Sequence, residues 1–323
     1  MPAIDDILAR VRQASVDWGP RNASGRGALD KLTLFQMEDV APIPGVEQVA
    51  LPRFVSSRPI TGRAENLGRY DARLLQDVER GLKQNAHLWY HAEPIRQEFI
   101  YELGKDAGQE QFDLFAKMIA ATSSSAPVRN NLRKASFYRQ QALNGLLPQL
   151  ENAADAKRYV KATEVPSGYG SIARQNDALW SGRYFYEDPF AGLGSAKAAN
   201  KMMSFGENIR GNYAPMVLDR HEWRARGYPS LPSGAAYGIA EARSIALADE
   251  LGLDPAAFQA ARWMGGAKRT GVRSTDPTLP HALETVIYQQ AKRLKTTPDK
   301  VLREFIRNGG LLAVPAVAVG SQE

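Results

Sequence analysis

From Leu67 onward the apolar residues of this 323-residue chain recur at the spacing of a helix, and almost nowhere at the alternating spacing of a strand. Tyr70, Leu74, Leu75, Val78 and Leu82 share one helical face, and Ile95, Phe99, Ile100 and Leu103 share another beyond Pro94. A third stripe, Phe112, Leu114, Phe115, Met118 and Ile119, follows Gly108 and runs out in the small residues Ala120-Ala121-Thr122-Ser123-Ser124-Ser125. Pro127 then opens a helix at its first turn, where a missing N–H costs nothing, and Val128, Leu132, Ala135 and Phe137 ride on it. Further helices are predicted at 172–184, 196–209, 233–251, 254–264, 281–295 and 297–308; Asp254-Pro255 and Thr297-Pro298 each set a cap residue before a proline. Without strands to pair, apolar stripes are buried only against one another. The expected fold is all-α, in two helical lobes with a cleft between them.

The ends of the chain read differently. Residues 3–14 suit a short amphipathic helix, and 19–63 are rich in Gly, Pro, Ser and Asn, which predicts an arm or irregular wrap. The division is therefore an N-terminal arm over 1–65 and a helical domain over 66–323. The apolar run from Leu311 to Gly320 suits a closing strand, a packed tail or a partner-binding tail.

Several classes of chemistry are excluded at once. The chain has no cysteine, so it holds no disulfide framework, thiolate zinc site, thiolate-bound iron–sulfur cluster or cysteine nucleophile. No run approaches 18 apolar residues, and the N-terminus carries acids early, so neither a membrane span nor a signal peptide is expected. A cytoplasmic monomer without a cofactor is the expectation. His87 and His91 lie four apart in HLWYH, but no third ligand or HExxH pattern accompanies them, so no metal site is expected and packing is the simpler role.

The formal net charge of +6 is distributed unevenly. No acid occurs between Leu114 and Leu150, where Lys117, Arg129, Arg133, Lys134 and Arg139 lie, nor between Pro255 and Thr275, where Arg262, Lys268, Arg269 and Arg273 lie. Two acid-free basic stretches suit a surface that follows phosphates; two solvated basic faces are the plainer alternative. The Ala121–Asn131 loop and helix start adds Ser123, Ser124 and Asn131 as candidate contacts to a nucleic-acid backbone, and an ordinary cap and turn is the alternative.

The densest group of chemically suggestive residues lies in 190–228. Gly192-Leu193-Gly194 lacks the third glycine of a dinucleotide fingerprint and the Gly-Lys-Ser/Thr of a P-loop, and FYEDPFA before it is no buried strand. What remains is a tight turn feeding a helix N-terminus, where backbone N–H groups hold a phosphate or simply join two helices. Farther on, the apolar run Met216-Val217-Leu218 ends in Asp219-Arg220-His221, eighteen residues after Lys201. An aspartate there is also a good helix N-cap, and the two roles are compatible.

The segment from Lys201 to Asp219 resembles the active-site region of the helix-hairpin-helix DNA glycosylase superfamily, the endonuclease III and oxoguanine glycosylase type. In that family a lysine on the second hairpin helix precedes, by about eighteen residues, an aspartate that closes a short apolar run. Ser204-Phe205, Asn208-Ile209 and Gly211 resemble the intervening stretch, and Phe112 to Phe115 through Ala121, Ser123 and Val128 is similar to the family's early helix and duplex-probing loop. The family's Gly-x-Gly before the lysine is replaced here by Lys197-Ala198-Ala199-Asn200, so the hairpin is degenerate; aligning Gly192 and Gly194 instead brings Lys197 to the lysine position. The resemblance implies a base-flipping glycosylase with a cleft lined by 108–145 and 190–228. Asp219 would stabilise developing charge or orient the attacking water, and Lys201 would be the nucleophile or, if it stays charged, a phosphate contact in a monofunctional enzyme, with His221 and Lys197 in support. Ser123, Ser124, Arg129, Asn131, Arg133, Lys134, Gly192, Gly194, Arg210, Arg220, Lys268 and Arg269 would hold DNA. A non-catalytic DNA-binding protein and a base-modifying transferase are the rival expectations. For base stacking, Tyr184, Phe185, Tyr186, Tyr213 and Trp223 are the aromatic candidates.

Overall fold

Among the described residues every regular element is a helix, and the chain is all-α. The computed structural model describes residues 46–48, 71–123, 126–146, 154, 158, 196–226, 234–272 and 276–311. The expected helices at 3–14 and 172–184, the C-terminal run past Leu311, Ser124, Gly192, Gly194, Arg273 and Tyr184 to Tyr186 lie outside them. The elements are α1 (Asp71–Leu82), a 3-10 turn (Ala86–Leu88), α2 (Glu93–Leu103), α3 (Lys105–Thr122), α4 (Val128–Leu143), α5 (Ala196–Arg210), α6 (Arg220–Ala225), α7 (Gly234–Glu250), α8 (Pro255–Gly265), α9 (Ala267–Thr270), α10 (Leu279–Leu294) and α11 (Pro298–Asn308). No helix among the described residues is long and apolar enough to cross a membrane.

The helix ends follow from local chemistry. Thr297 caps α11 by accepting from Lys300 N (3.3 Å), and Thr278 caps α10 by accepting from His281 N (3.2 Å), each just before a proline in the first turn. Asp254 sits at the start of α8 but makes no capping bond with its side chain. The short helix α6 was foreshadowed only by the cap reading of Asp219, and α9 was not expected, because four to six residues give too little periodicity to read.

Among the described residues, apolar side chains collect in two clusters. The larger is built by α2, α3, α4, α5, α10 and α11 around Phe99, Phe112, Phe115 and Phe305; the Phe115 and Phe305 rings meet edge to face at 4.9 Å. The smaller takes Val78 and Leu82 from α1, Trp223 from α6, Tyr237 and Leu247 from α7, and Phe258 from α8. Arg139, expected on a basic face, is instead 0% exposed inside the larger cluster. Its guanidinium donates to Phe305 O (2.7 Å) and Ile306 O (2.8 Å) and lies 4.8 Å over the Phe99 ring, so it braces the end of α11. Burial pulls its pKa down to about 9.

The tightest crossing joins α1 to α8. A methyl group on Gly81 would stand 1.8 Å from Ala261 O, and one on Gly265 would stand 1.8 Å from Asp77 O. The two backbones touch with no side chain between them. Gly265→Ala is therefore expected to cost about 3 kcal/mol or more through backbone displacement. Gly238→Ala, inside α7 with nothing within 4 Å, should gain about 0.5–1 kcal/mol from helix propensity. Urea unfolding of the two variants checks the contrast.

His87 on the 3-10 turn is buried, and neither ring nitrogen has a hydrogen-bond partner. Burial lowers its pKa from 6.5 to about 4, so the folded chain keeps the ring neutral. Between pH 6.5 and 4 the unfolded chain binds a proton that the folded chain does not. Stability should fall across that window by on the order of 3 kcal/mol. His87→Phe should flatten this part of a stability-versus-pH curve measured by denaturant unfolding.

Candidate functional site

The site begins where α5 stops. Gly211, at a φ of 99°, ends the helix, and Asn212 N reaches back to Glu207 O (3.0 Å). A distant piece of the N-terminal arm secures this turn. Gln48 donates to Gly211 O (2.8 Å) and accepts from Tyr213 N (2.8 Å), while Val46 packs on the larger cluster.

Beyond the turn, residues 216–218 run without regular structure toward α6, and their backbone groups are met by side chains of α7. Met216 N donates to Glu241 (2.9 Å), the Tyr237 hydroxyl donates to Met216 O (2.8 Å), and Leu218 N donates to the same hydroxyl (3.0 Å). Side chains alternate along this run. Met216 and Leu218 enter the smaller cluster, while Val217 turns to the larger one. Asp219, two residues after Val217, shares its side, and both line one pocket.

Asp219 caps α6, with one carboxylate oxygen, Oδ1, accepting from His221 N (2.8 Å) and Glu222 N (3.0 Å). The other oxygen is not used in the cap. Lys201 on α5 lines the same pocket; its ammonium donates to Ser123 Oγ (2.8 Å) and lies 5.6 Å over the Phe205 ring one turn on. Burial lowers the Lys201 pKa; Asp219 pulls it back up and Arg220 pushes it down, so both charges act at the amine.

The pocket has a volume of about 80 Å³, several times what one ordered water needs. Trp89, Tyr90, Phe205 and Trp263 contribute its aromatic wall. Trp89 stacks on Phe205 at 5.9 Å and 26°, and meets Trp263 edge-on at 5.5 Å. The Tyr90 hydroxyl donates to Gln259 (2.8 Å) on α8, whose amide in turn donates to Glu222 (3.3 Å), and burial holds the Tyr90 pKa well above its ordinary value. A planar aromatic ligand would find stacking faces, a carboxylate and an amine within one enclosure.

The residues expected to hold DNA are distributed otherwise. Ser123 faces the pocket, bonded to Lys201, and Asn131 is buried with its amide on Ile119 O (3.0 Å) and Thr122 (2.6 Å). Lys134 is 2% exposed and belongs to the interior. Arg129 forks onto Asp276 (2.6 and 3.0 Å), and Arg210 pairs with Asp113 (2.9 Å) and Glu207 (2.7 Å). Arg269 pairs with buried Asp77, and Arg133 reaches Asn130 (3.1 Å) and Gln289 (2.6 Å). Arg262 is wholly buried against Glu222, with its pKa lowered by burial to about 10. Arg220 and Lys268 are exposed. Charge counted along the two acid-free stretches misses these partners, because Asp276, Asp77 and Glu222 come from other parts of the chain.

His221 does not turn to Asp219 with its ring; Nδ1 meets Thr270 O of α9 (2.9 Å), and the backbone N–H makes the contact to the carboxylate. Lys197 lies on α5, with its side chain outside the described residues. Among the expected stacking residues, Tyr213 and Trp223 are buried in the two clusters and do not line the pocket. Trp89, Tyr90, Gln259 and Trp263 were missed. The aromatic pair inside HLWYH was the available signal, overshadowed by its flanking histidines. No family model, curated protein or solved structure matches this chain.

Two substitutions probe how the carboxylate is held. Asp219→Asn should keep most of the cap, whereas Asp219→Ala should lose about 1 kcal/mol of stability. Tyr237→Phe removes the hydroxyl serving two backbone groups and should cost about 1–3 kcal/mol, read by thermal unfolding.

Proposed function

We propose that the protein is a DNA base N-glycosylase that takes a damaged or modified base out of the duplex and breaks its N-glycosidic bond. The observation that carries this reading is that Lys201 and Asp219 share one aromatic-walled pocket. A base inside a duplex is out of reach of side chains, so it must be unstacked, and an aromatic enclosure repays part of that cost by stacking. The two-lobed arrangement with a cleft and a degenerate hairpin before Lys201 belongs to the same proposal, as does its nucleoid setting.

Asp219, at a helix N-terminus, stabilises the positive charge that grows on the sugar as the bond to the base stretches, or orients an attacking water. Lys201 supplies a nucleophile once neutral, and burial favours that form. Its nitrogen attacks the sugar C1′ while the electron pair of the C1′–N bond leaves with the base. The nitrogen then sheds its two protons, one to the departing base and one to the ring oxygen O4′ as the C1′–O4′ bond breaks, and its electron pair forms the imine. Arg220, next to the cap, and Lys268 contact phosphates in this reading.

The test is to incubate the chain with duplexes carrying damaged or hypermodified bases and to measure abasic sites, adding borohydride to trap an imine. Base release is expected, falling about 100-fold or more in Asp219→Asn with DNA affinity retained, while Lys201→Ala abolishes the trapped adduct and Lys197→Ala does not. Salt-sensitive binding with no abasic product on any substrate would refute the glycosylase and favour a binding protein. A base of altered mass that stays attached would favour a transferase.

A further inference from the structure

Lys201 makes its hydrogen bond not to another residue of its own helix but to Ser123, the residue that closes α3 and lines the same pocket. The Ser123 hydroxyl is itself committed, because Oγ donates to Ala120 O at 2.8 Å. A hydroxyl has one proton and two acceptor positions, so with its proton on a carbonyl it meets the amine only as an acceptor. This distinction matters for a nucleophile. A free hydroxyl beside a neutral amine would donate into the nitrogen's lone pair and occupy the electrons that have to attack.

We infer that Ser123 is a positioning residue for Lys201: it takes one amine hydrogen, keeps its own proton on Ala120 O, and leaves the nitrogen's lone pair free in the pocket. The inference rests on the reading of Lys201 as a nucleophile. Phe205 supports the same pose from below, since its ring lies 5.6 Å from Nζ one helical turn along. The charges acting at the amine are Asp219, ahead of α6, and Arg220, in its first turn. Ser123 therefore acts through direction and not through charge. Its neighbours on α4 do not duplicate it, because Asn131 spends its amide on Ile119 O and Thr122.

The pairing is tested on the intact chain without DNA by trace labelling with acetic anhydride from pH 7 to 11, quantified by mass spectrometry, with exposed Lys268 as internal reference. A hydrogen bond accepted from the ammonium favours the charged form, so its loss lowers the labelling midpoint. Ser123→Ala should move the Lys201 midpoint down by about half to one pH unit and leave Lys268 unmoved, and Ser123→Thr, which keeps the hydroxyl, should restore it. With an abasic-site duplex and borohydride, Ser123→Ala should trap about tenfold more slowly at saturating DNA, with Kd unchanged and Ser123→Thr near wild type. An unchanged midpoint and trapping rate in Ser123→Ala would overturn the inference, as would an equal loss in Ser123→Thr. A wild-type chain that never traps, yet shows the midpoint shift and its rescue, would refute the nucleophile reading while upholding the Ser123–Lys201 pairing.

Discussion

The short run from Met216 to Asp219 passes between two cores, and the arrangement of the pocket depends on how it is held. Its backbone polar groups are buried where no helix satisfies them, and leaving them unpaired would cost more than most single contacts return. Tyr237 and Glu241 of α7 meet that need, with one hydroxyl serving both a carbonyl and an N–H. Once the run is fixed, strand-like alternation divides its side chains between the two clusters, and Asp219 has one direction left to face. The Gln48 clamp at Gly211 and Tyr213 holds the other end of the same connection, which makes a piece of the N-terminal arm part of the pocket's support.

Around this run the basic residues are largely absorbed into the fold. Arg139 closes α11, Arg262 pairs with Glu222 behind the pocket, and Arg129, Arg210 and Arg269 each find an acid on another element. Partly buried ion pairs of this kind fix register between helices more than they add stability. The electrostatic case for a polyanionic partner therefore rests on fewer residues than the acid-free stretches suggest, with Arg220 and Lys268 exposed. The stronger case is local, an amine and a carboxylate that line one aromatic-walled pocket.

Much of this was legible in the residues, for identifiable reasons. Helix positions followed from apolar spacing and from prolines in the first turn, since both act within a few residues of chain. The Asp219 cap was legible for the same reason, because its partners are the next two or three N–H groups. Local rules said nothing about Trp89 and Tyr90, in the turn after Leu88, or about Gln259 and Trp263, one turn apart on α8, because these two pairs join at the pocket only when the segments pack. Nor could they tell Tyr213 and Trp223, which are core, from aromatic residues that line a cavity.

By itself, then, the sequence determined an all-α chain without thiol chemistry, whereas Lys201 and Asp219 drew notice only through a resemblance in their spacing. Only the tertiary structure decided that these two line the same cavity, that Ser123 belongs to the lysine and not to a surface, and that Arg129, Arg139, Arg210, Arg262 and Arg269 find partners within the fold. The physical reason is range. Caps and helices are built from neighbours in the chain, whereas a pocket and its charge partners are built from residues far apart in sequence that meet only when the helices pack.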